Sequence, residues 1–250
     1  MVPTSRAERH PCVAHRGWSG GAPENTLAAF RLALSEPSVY WIELDVHLSK
    51  DEVPVVIHDG TLNRTTNAKG KVSERTAFEL SKLDAGSWFH PFYAGEPIPT
   101  LAQVLSLVYG RSCLNIELKE DAQEGGLLVR RVVELVRAYR MENAVVITSF
   151  DRKLIEQTKR WAPEFRTGLI TDKKPKDLVR QLQTLKASVL SIDYRHVTPR
   201  LLADTAAANI GVMAWTVNQP GDLKRLANMP EPFQICTNYP DRWLAAVKKG

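Results

Sequence analysis

The apolar run Cys12–His15 ends in His15-Arg16-Gly17. A histidine in such a place can move protons near neutral pH, and the adjacent guanidinium can grip phosphate oxygens in a fork. Pro23-Glu24-Asn25-Thr26 follows. It reads equally well as a plain helix start, with Asn25 or Thr26 as cap and Glu24 favoured by the helix dipole. Glu43 and Asp45 stand two residues apart in Trp41–Val46 and share one face of a strand. Two carboxylates facing a barrel interior repel each other and lose hydration unless a positive charge lies between them. Oxygen donors of this kind suit Mg²⁺, Ca²⁺ or Mn²⁺, and an arginine or lysine partner would serve the same end. His47 continues the alternation and is expected at a rim or on the surface.

A second histidine, His58, closes the apolar run before Asp59. Alone it would be an ordinary structural histidine. Paired with His15 it supplies one group to take a proton and one to give it. In Asn115-Ile116-Glu117-Leu118-Lys119, residues 115, 117 and 119 share the polar face. Glu117 would complete a three-carboxylate metal site with Glu43 and Asp45, and Lys119 would offset phosphate charge. The plainer reading is a Glu–Lys pair at a strand end. No cysteine stands as a nucleophile.

The elements that must position these groups alternate. Strands are expected at Cys12–His15, Trp41–Val46, Cys113–Leu118, Ala144–Ser149, Arg166–Ile170, Ser188–Asp193, Gly211–Val217 and Phe233–Thr237. Helical patterns lie at Glu24–Ser35, Leu127–Tyr139, Lys153–Trp161, Pro175–Leu185, Pro199–Ala208 and Asp222–Asn228. Strict alternation means βαβ units and a parallel sheet, and eight strands point to a closed (β/α)8 TIM barrel. The doubly wound open sheet is the rival, but its G-x-G-x-x-G turn is missing after the first strand. Val53–His58 follows the second strand too closely for an intervening helix, so it reads as a hairpin partner turning at Ser49-Lys50-Asp51. The turn-rich, aromatic stretch at about 60–98 reads as a small insertion subdomain on one rim, with no second core of its own. The chain, 1–250, is taken as one domain.

Composition narrows the function classes. Of 250 residues, 44% are hydrophobic and 24% charged, as in ordinary globular proteins. The net charge of +5 is spread along the chain without a Lys/Arg run, which argues against a nucleic-acid footprint. Cys12, Cys113 and Cys236 lack C-x-x-C spacing and fit reduced, buried thiols. Met1 to Cys12 is polar with no apolar signal region, and no stretch of eighteen apolar residues occurs. The expected location is the cytoplasm, without stable membrane insertion.

With these residues in hand, the sequence resembles the glycerophosphodiester phosphodiesterase family, in its bacterial cytosolic form. The resemblance rests on His15-Arg16-Gly17, Pro23-Glu24-Asn25-Thr26, Glu43-x-Asp45, His58-Asp59, Leu62-x-Arg64-Thr65-Thr66 and Glu117-x-Lys119. Leu83-Asp84-Ala85-Gly86-Ser87-Trp88, Trp215-Thr216-Val217-Asn218 and Thr237-Asn238-Tyr239-Pro240 extend it over nearly the whole chain. It implies hydrolysis of small glycerophosphodiesters such as glycerophosphocholine or glycerophosphoethanolamine to sn-glycerol 3-phosphate and an alcohol. It further implies His15 and His58 as the acid–base pair, and Glu43, Asp45 and Glu117 as ligands of Ca²⁺ or Mg²⁺. Arg16 and Lys119 would bind phosphate, and Trp215 would line the glycerol side. Asn238 stands where many relatives carry aspartate, a position with no expected part in the metal site. Lysophospholipase D chemistry on lysolipids, hydrolysis of another polyol phosphodiester and non-catalytic binding of a phosphate ester remain as alternatives.

Overall fold

The computed structural model describes residues 5–119 and 126–248. Met1–Thr4 of the polar N-terminal stretch lie outside the described residues. Among the described residues nine strands form one sheet: β1 Cys12–Ala14, β2 Trp41–Leu48, β3 Pro54–Val56, β4 Cys113–Leu118, β5 Val145–Ser149, β6 Arg166–Thr171, β7 Val189–Asp193, β8 Gly211–Trp215 and β9 Gln234–Thr237. All but β3 run parallel to their neighbours. β1 pairs with β2 on one side and with β9 on the other, so the eight parallel strands close into a barrel and the open-sheet alternative is excluded.

Helices cover the outside: α1 Arg6–Arg9, α2 Leu27–Leu34, α3 Ala77–Leu80, α4 Leu101–Val108, α5 Gly126–Ala138, α6 Arg152–Trp161, α7 Leu178–Thr184, α8 Pro199–Ala207, α9 Pro220–Ala227 and α10 Pro240–Lys248. Several start on the side-chain caps that their sequences offer. Thr26 accepts from Ala29 N before α2, Asp151 from Lys153 N before α6, and Thr198 from Leu201 N before α8. The main core lies between helices and the outer face of the strands, where Ile42, Leu44, Val46 and Leu48 of β2 join Leu114, Ile116 and Leu118 of β4. The alternating residues face inward. Val13, Met213 and Cys236, with Trp41 and Trp215 against them, form a separate apolar cluster.

β2 outruns its barrel partner β1. Val13 and Ala14 pair only with Trp41 and Ile42, and the free edge beyond is taken by β3, antiparallel, with Val46 opposite Val56. The hairpin turn returns through the Ser49 N to Val53 O hydrogen bond of 3.0 Å. Two expectations need correction here. His47 stands past the end of the β2–β4 ladder, on the part of β2 that pairs with β3, but it is not on the surface. It is buried at 7% exposure because the hairpin covers it, and its Nε2 donates to His58 O at 3.1 Å. The segment after β3 does carry a core of its own: Val55 and Ile57 pack with Leu62, Val72, Leu80, Ala85 and Ile98. An added strand presents a second apolar face that the barrel cannot cover, and the turn-rich segment covers it. Of the cysteines, Cys12 and Cys236 are buried, whereas Cys113 is only half-buried.

Candidate active site

The carboxylates are brought together by register. In the β2–β4 ladder Glu43 lies beside Asn115 and Asp45 beside Glu117. The alternation that sends Leu44 and Ile116 to the helices sends these polar residues to the interior. Carboxylate oxygens of Glu43, Asp45 and Glu117 lie within 4.8 Å of one another, and all three side chains are buried.

The turn after β1 supplies the next groups. Arg16 and Gly17 both adopt left-handed backbone, at φ 55° and 78°. A side chain at Gly17 would put Cβ 2.7 Å from the carbonyl carbon of Ala29, so only glycine lets the chain pass this close to α2. The turn aims Arg16 at the acidic cluster: its backbone N donates to Glu43 Oε2 at 2.9 Å, and Nε lies 3.3 Å from Asp45 Oδ2. Asn25, also left-handed at φ 58°, clasps Asp45 through Nδ2 to Oδ2 at 2.7 Å. The Pro23-Glu24-Asn25-Thr26 stretch therefore serves both readings. Thr26 caps α2, while Glu24 and Asn25 hold site residues.

His15 follows β1 and His58 follows β3. With Arg16, Lys119, Glu43, Glu117 and Trp215 they line one cavity of about 140 Å³. His15 Nδ1 donates to Asn238 Oδ1 at 2.6 Å, and His58 Nδ1 donates to Asp59 Oδ1 at 2.7 Å. Each ring is thus fixed through one nitrogen, leaving Nε2 for other work. Trp215 stacks edge-on against Phe150, centroids 5.8 Å apart, and its Nε1 is buried without a partner among the described residues.

Electrostatics in this cavity are unbalanced. Burial and the neighbouring carboxylates push Glu43 well above the ordinary carboxylate range, and burial with Asp45 pushes Glu117 up to about 7. Burial would raise Asp45 too, but Lys119 and Arg16 hold it well below its usual value. Lys119 Nζ sits 2.8 Å from Asp45 Oδ1 and 2.5 Å from Glu117 Oε1, bridging two of the three carboxylates. A convergent set of hard oxygen donors, charge-strained and drawing in a cation, fits a divalent metal ion. Burial lowers His15, with Arg16 adding to it, to about 4, and burial also lowers His58.

A sequence model of the glycerophosphoryl diester phosphodiesterase family matches residues 15–242. The chain belongs to this family. A glycerophosphodiester phosphodiesterase of Caldanaerobacter subterraneus subsp. tengcongensis is 35% identical over 239 residues, covering 95% of this chain and 98% of that one. Among solved structures, an Oleispira antarctica phosphodiesterase in complex with the product sn-glycerol-3-phosphate superposes at TM-score 0.89 with 31% identity, covering 95% of this chain and 96% of that one. A glycerophosphodiester phosphodiesterase from Agrobacterium tumefaciens superposes at 0.82 with 31% identity, covering 94% and 99%. Family membership makes the chain an enzyme, and the non-catalytic alternative falls.

The eight residues singled out in the sequence fall in one neighbourhood: seven line the cavity and Asp45 lies behind it, in contact with Arg16 and Lys119. Sequence reasoning missed Asn238, which touches His15, and gave no task to Arg64, which touches both Glu24 and Asp59. For Asn238 the only available signal was its departure from the aspartate common in relatives.

Proposed function

We propose that this enzyme hydrolyses small glycerophosphodiesters to sn-glycerol 3-phosphate and an alcohol, by metal-dependent acid–base catalysis through His15 and His58. The observation that carries the reading is the meeting of two histidines, an arginine, a lysine and a buried carboxylate triad in one cavity. The sn-glycerol-3-phosphate bound to the Oleispira relative supports the glycerol half of the substrate.

Glu43, Asp45 and Glu117 would hold the metal, Mg²⁺ or Ca²⁺ by the hardness of their oxygens, and the ion supplies charge neutralisation at the phosphate. Arg16 and Lys119 bind phosphate oxygens and stabilise the negative charge that grows in the transition state. One histidine takes the proton of the nucleophile, either water or the substrate's own glycerol hydroxyl. The other returns a proton to the leaving alkoxide. The P–O bond to the alcohol breaks as the new P–O bond forms. Water as nucleophile gives sn-glycerol 3-phosphate directly, whereas the glycerol hydroxyl gives a cyclic phosphate that water then opens with the two histidines' roles exchanged. Trp215 lines the glycerol side, where its unpaired Nε1 offers a donor to a hydroxyl.

The test is steady-state release of sn-glycerol 3-phosphate from glycerophosphocholine, with lysophosphatidylcholine as the comparison substrate. His15→Ala and His58→Ala should each lower the rate by roughly 10²–10⁴-fold, the usual worth of general acid–base catalysis. A His58→Ala protein with near-normal activity contradicts the assignment.

A further inference from the structure

Arg64 lies outside the cavity, yet it joins its two working sides. The guanidinium forks onto two carboxylates at once. Nε donates to Asp59 Oδ2 at 2.7 Å and Nη2 to Oδ1 at 3.2 Å. Nη1 donates to Glu24 Oε2 at 2.9 Å and Nη2 to Oε1 at 2.8 Å. Each carboxylate then holds a cavity residue: Asp59 Oδ1 receives His58 Nδ1 at 2.7 Å, and Glu24 Oε1 receives Arg16 Nη1 at 2.8 Å. The result is a continuous chain, His58–Asp59–Arg64–Glu24–Arg16, running from the end of β3 to the turn after β1.

We infer that Arg64 is a positioning residue that fixes His58 and Arg16 relative to one another, so that proton transfer and phosphate binding act on the same substrate geometry. The inference rests on the phosphodiesterase reading and assigns a task to a residue that touches neither substrate nor metal.

Three features support it. The arginine's own backbone is anchored, because Leu62 and Thr65 beside it are buried and Thr66 Oγ1 donates to Leu62 O at 2.7 Å. The segment is thus pinned to the small core under β3, and Arg64 reaches out from a fixed base. Second, only a planar fork fits the geometry. Two carboxylates each take two N–H groups from one guanidinium, which a lysine ammonium cannot reproduce. Third, Glu24 and Asp59 share Arg64 as their common partner, so neither His58 nor Arg16 can shift without moving the other. Misplacement of a reacting group by about 1 Å is enough to cost 10²-fold in rate. The arginine is 43% exposed, so solvent screens its ion pairs, and reading kcat beside the melting temperature separates positioning from a purely stabilising network.

The experiment measures kcat and KM for glycerophosphocholine in the metal-loaded full chain for wild type, Arg64→Ala, Arg64→Lys, Asp59→Asn and the Arg64→Ala/Asp59→Asn double variant, with thermal melts on each. Arg64→Ala is expected to lower kcat by about 10- to 100-fold, the range for partners that orient site residues, with little change in melting temperature. Arg64→Lys should fail to rescue it. The double variant should lose no more than the worse single variant, because both cuts open the same chain. Arg64→Lys keeps the positive charge and stays informative if the alanine variant folds poorly. Wild-type kcat in either Arg64 variant, or single losses that multiply in the double variant, overturns the positioning role while leaving the phosphodiesterase reading intact. Wild-type protein that releases no sn-glycerol 3-phosphate overturns that reading, and the positioning role with it.

Discussion

Replacing Asn238 with leucine removes a single hydrogen bond, yet it should act on the rate rather than on the fold. The bond from His15 Nδ1 to Asn238 Oδ1 is 2.6 Å long and holds the ring in one tautomer. Leucine has nearly the same shape and no acceptor. The imidazole N–H, on a side chain only 17% exposed, would be left without a partner. Leaving a buried donor unsatisfied costs about 1–3 kcal/mol. If that cost falls on the aligned, proton-transferring state, kcat drops by roughly 5- to 150-fold at about 1.36 kcal/mol per factor of ten. The loop should survive, because its backbone is held independently: Asn238 N donates to Asn218 Oδ1 at 3.0 Å and Asn238 O accepts from Gly20 N at 2.8 Å. The assay couples sn-glycerol 3-phosphate release to its dehydrogenase at saturating metal, with a melting curve for each protein. Asn238→Asp keeps an acceptor oxygen in place and should retain more activity than Asn238→Leu. A folded Asn238→Leu protein with kcat within about twofold of wild type would refute the reasoning, since it would mean that His15 needs no partner at Nδ1.

Two further predictions concern the scaffold. Gly17→Ala should destabilise the protein by about 2–4 kcal/mol in urea unfolding, because it combines a left-handed backbone at φ 78° with a Cβ 2.7 Å from Ala29 backbone; a loss under about 0.5 kcal/mol would contradict the close approach. His10 is buried, donates from Nε2 to Met229 O at 2.9 Å and packs edge-on against Phe233, and burial lowers its pKa below 6.5. The unfolded chain therefore takes up the proton first as pH falls. The stabilisation from keeping His10 neutral is complete above about 6.5 and is lost as pH drops from there toward the lower folded value. The unfolding free energy of wild type should decline more steeply than that of His10→Gln between about pH 7 and pH 5, and parallel declines would exclude this linkage.

The sequence was most legible where period and chemistry coincided. Glu43, Asp45 and Glu117 could be placed on one face because strand alternation sets it, and the ladder sets them side by side. The barrel followed from eight regularly spaced strands. What could not be read depends on contacts between distant segments. His47 was correctly phased toward the polar face, but its burial comes from the hairpin folding over it. Asn238 reaches His15 across 223 residues of sequence, through the closure of β9 against β1. The small core of the insertion is assembled from single apolar residues scattered between Val55 and Ile98, a spacing with neither helical nor strand period. α10 went unread as well. Its apolar residues, led by Trp243, gain their meaning by packing back on the start of the chain, where Trp243 Nε1 donates to His10 O at 2.9 Å.

The most direct test is release of sn-glycerol 3-phosphate from glycerophosphocholine by the purified protein, before and after EDTA and again after adding Mg²⁺ or Ca²⁺. The buried carboxylate triad predicts activity that EDTA abolishes and one of these ions restores, and a Glu117→Gln protein in which restoration needs far more metal. Full activity in EDTA would contradict the metal-dependent mechanism. A folded, metal-loaded protein that releases no product would contradict the substrate assignment.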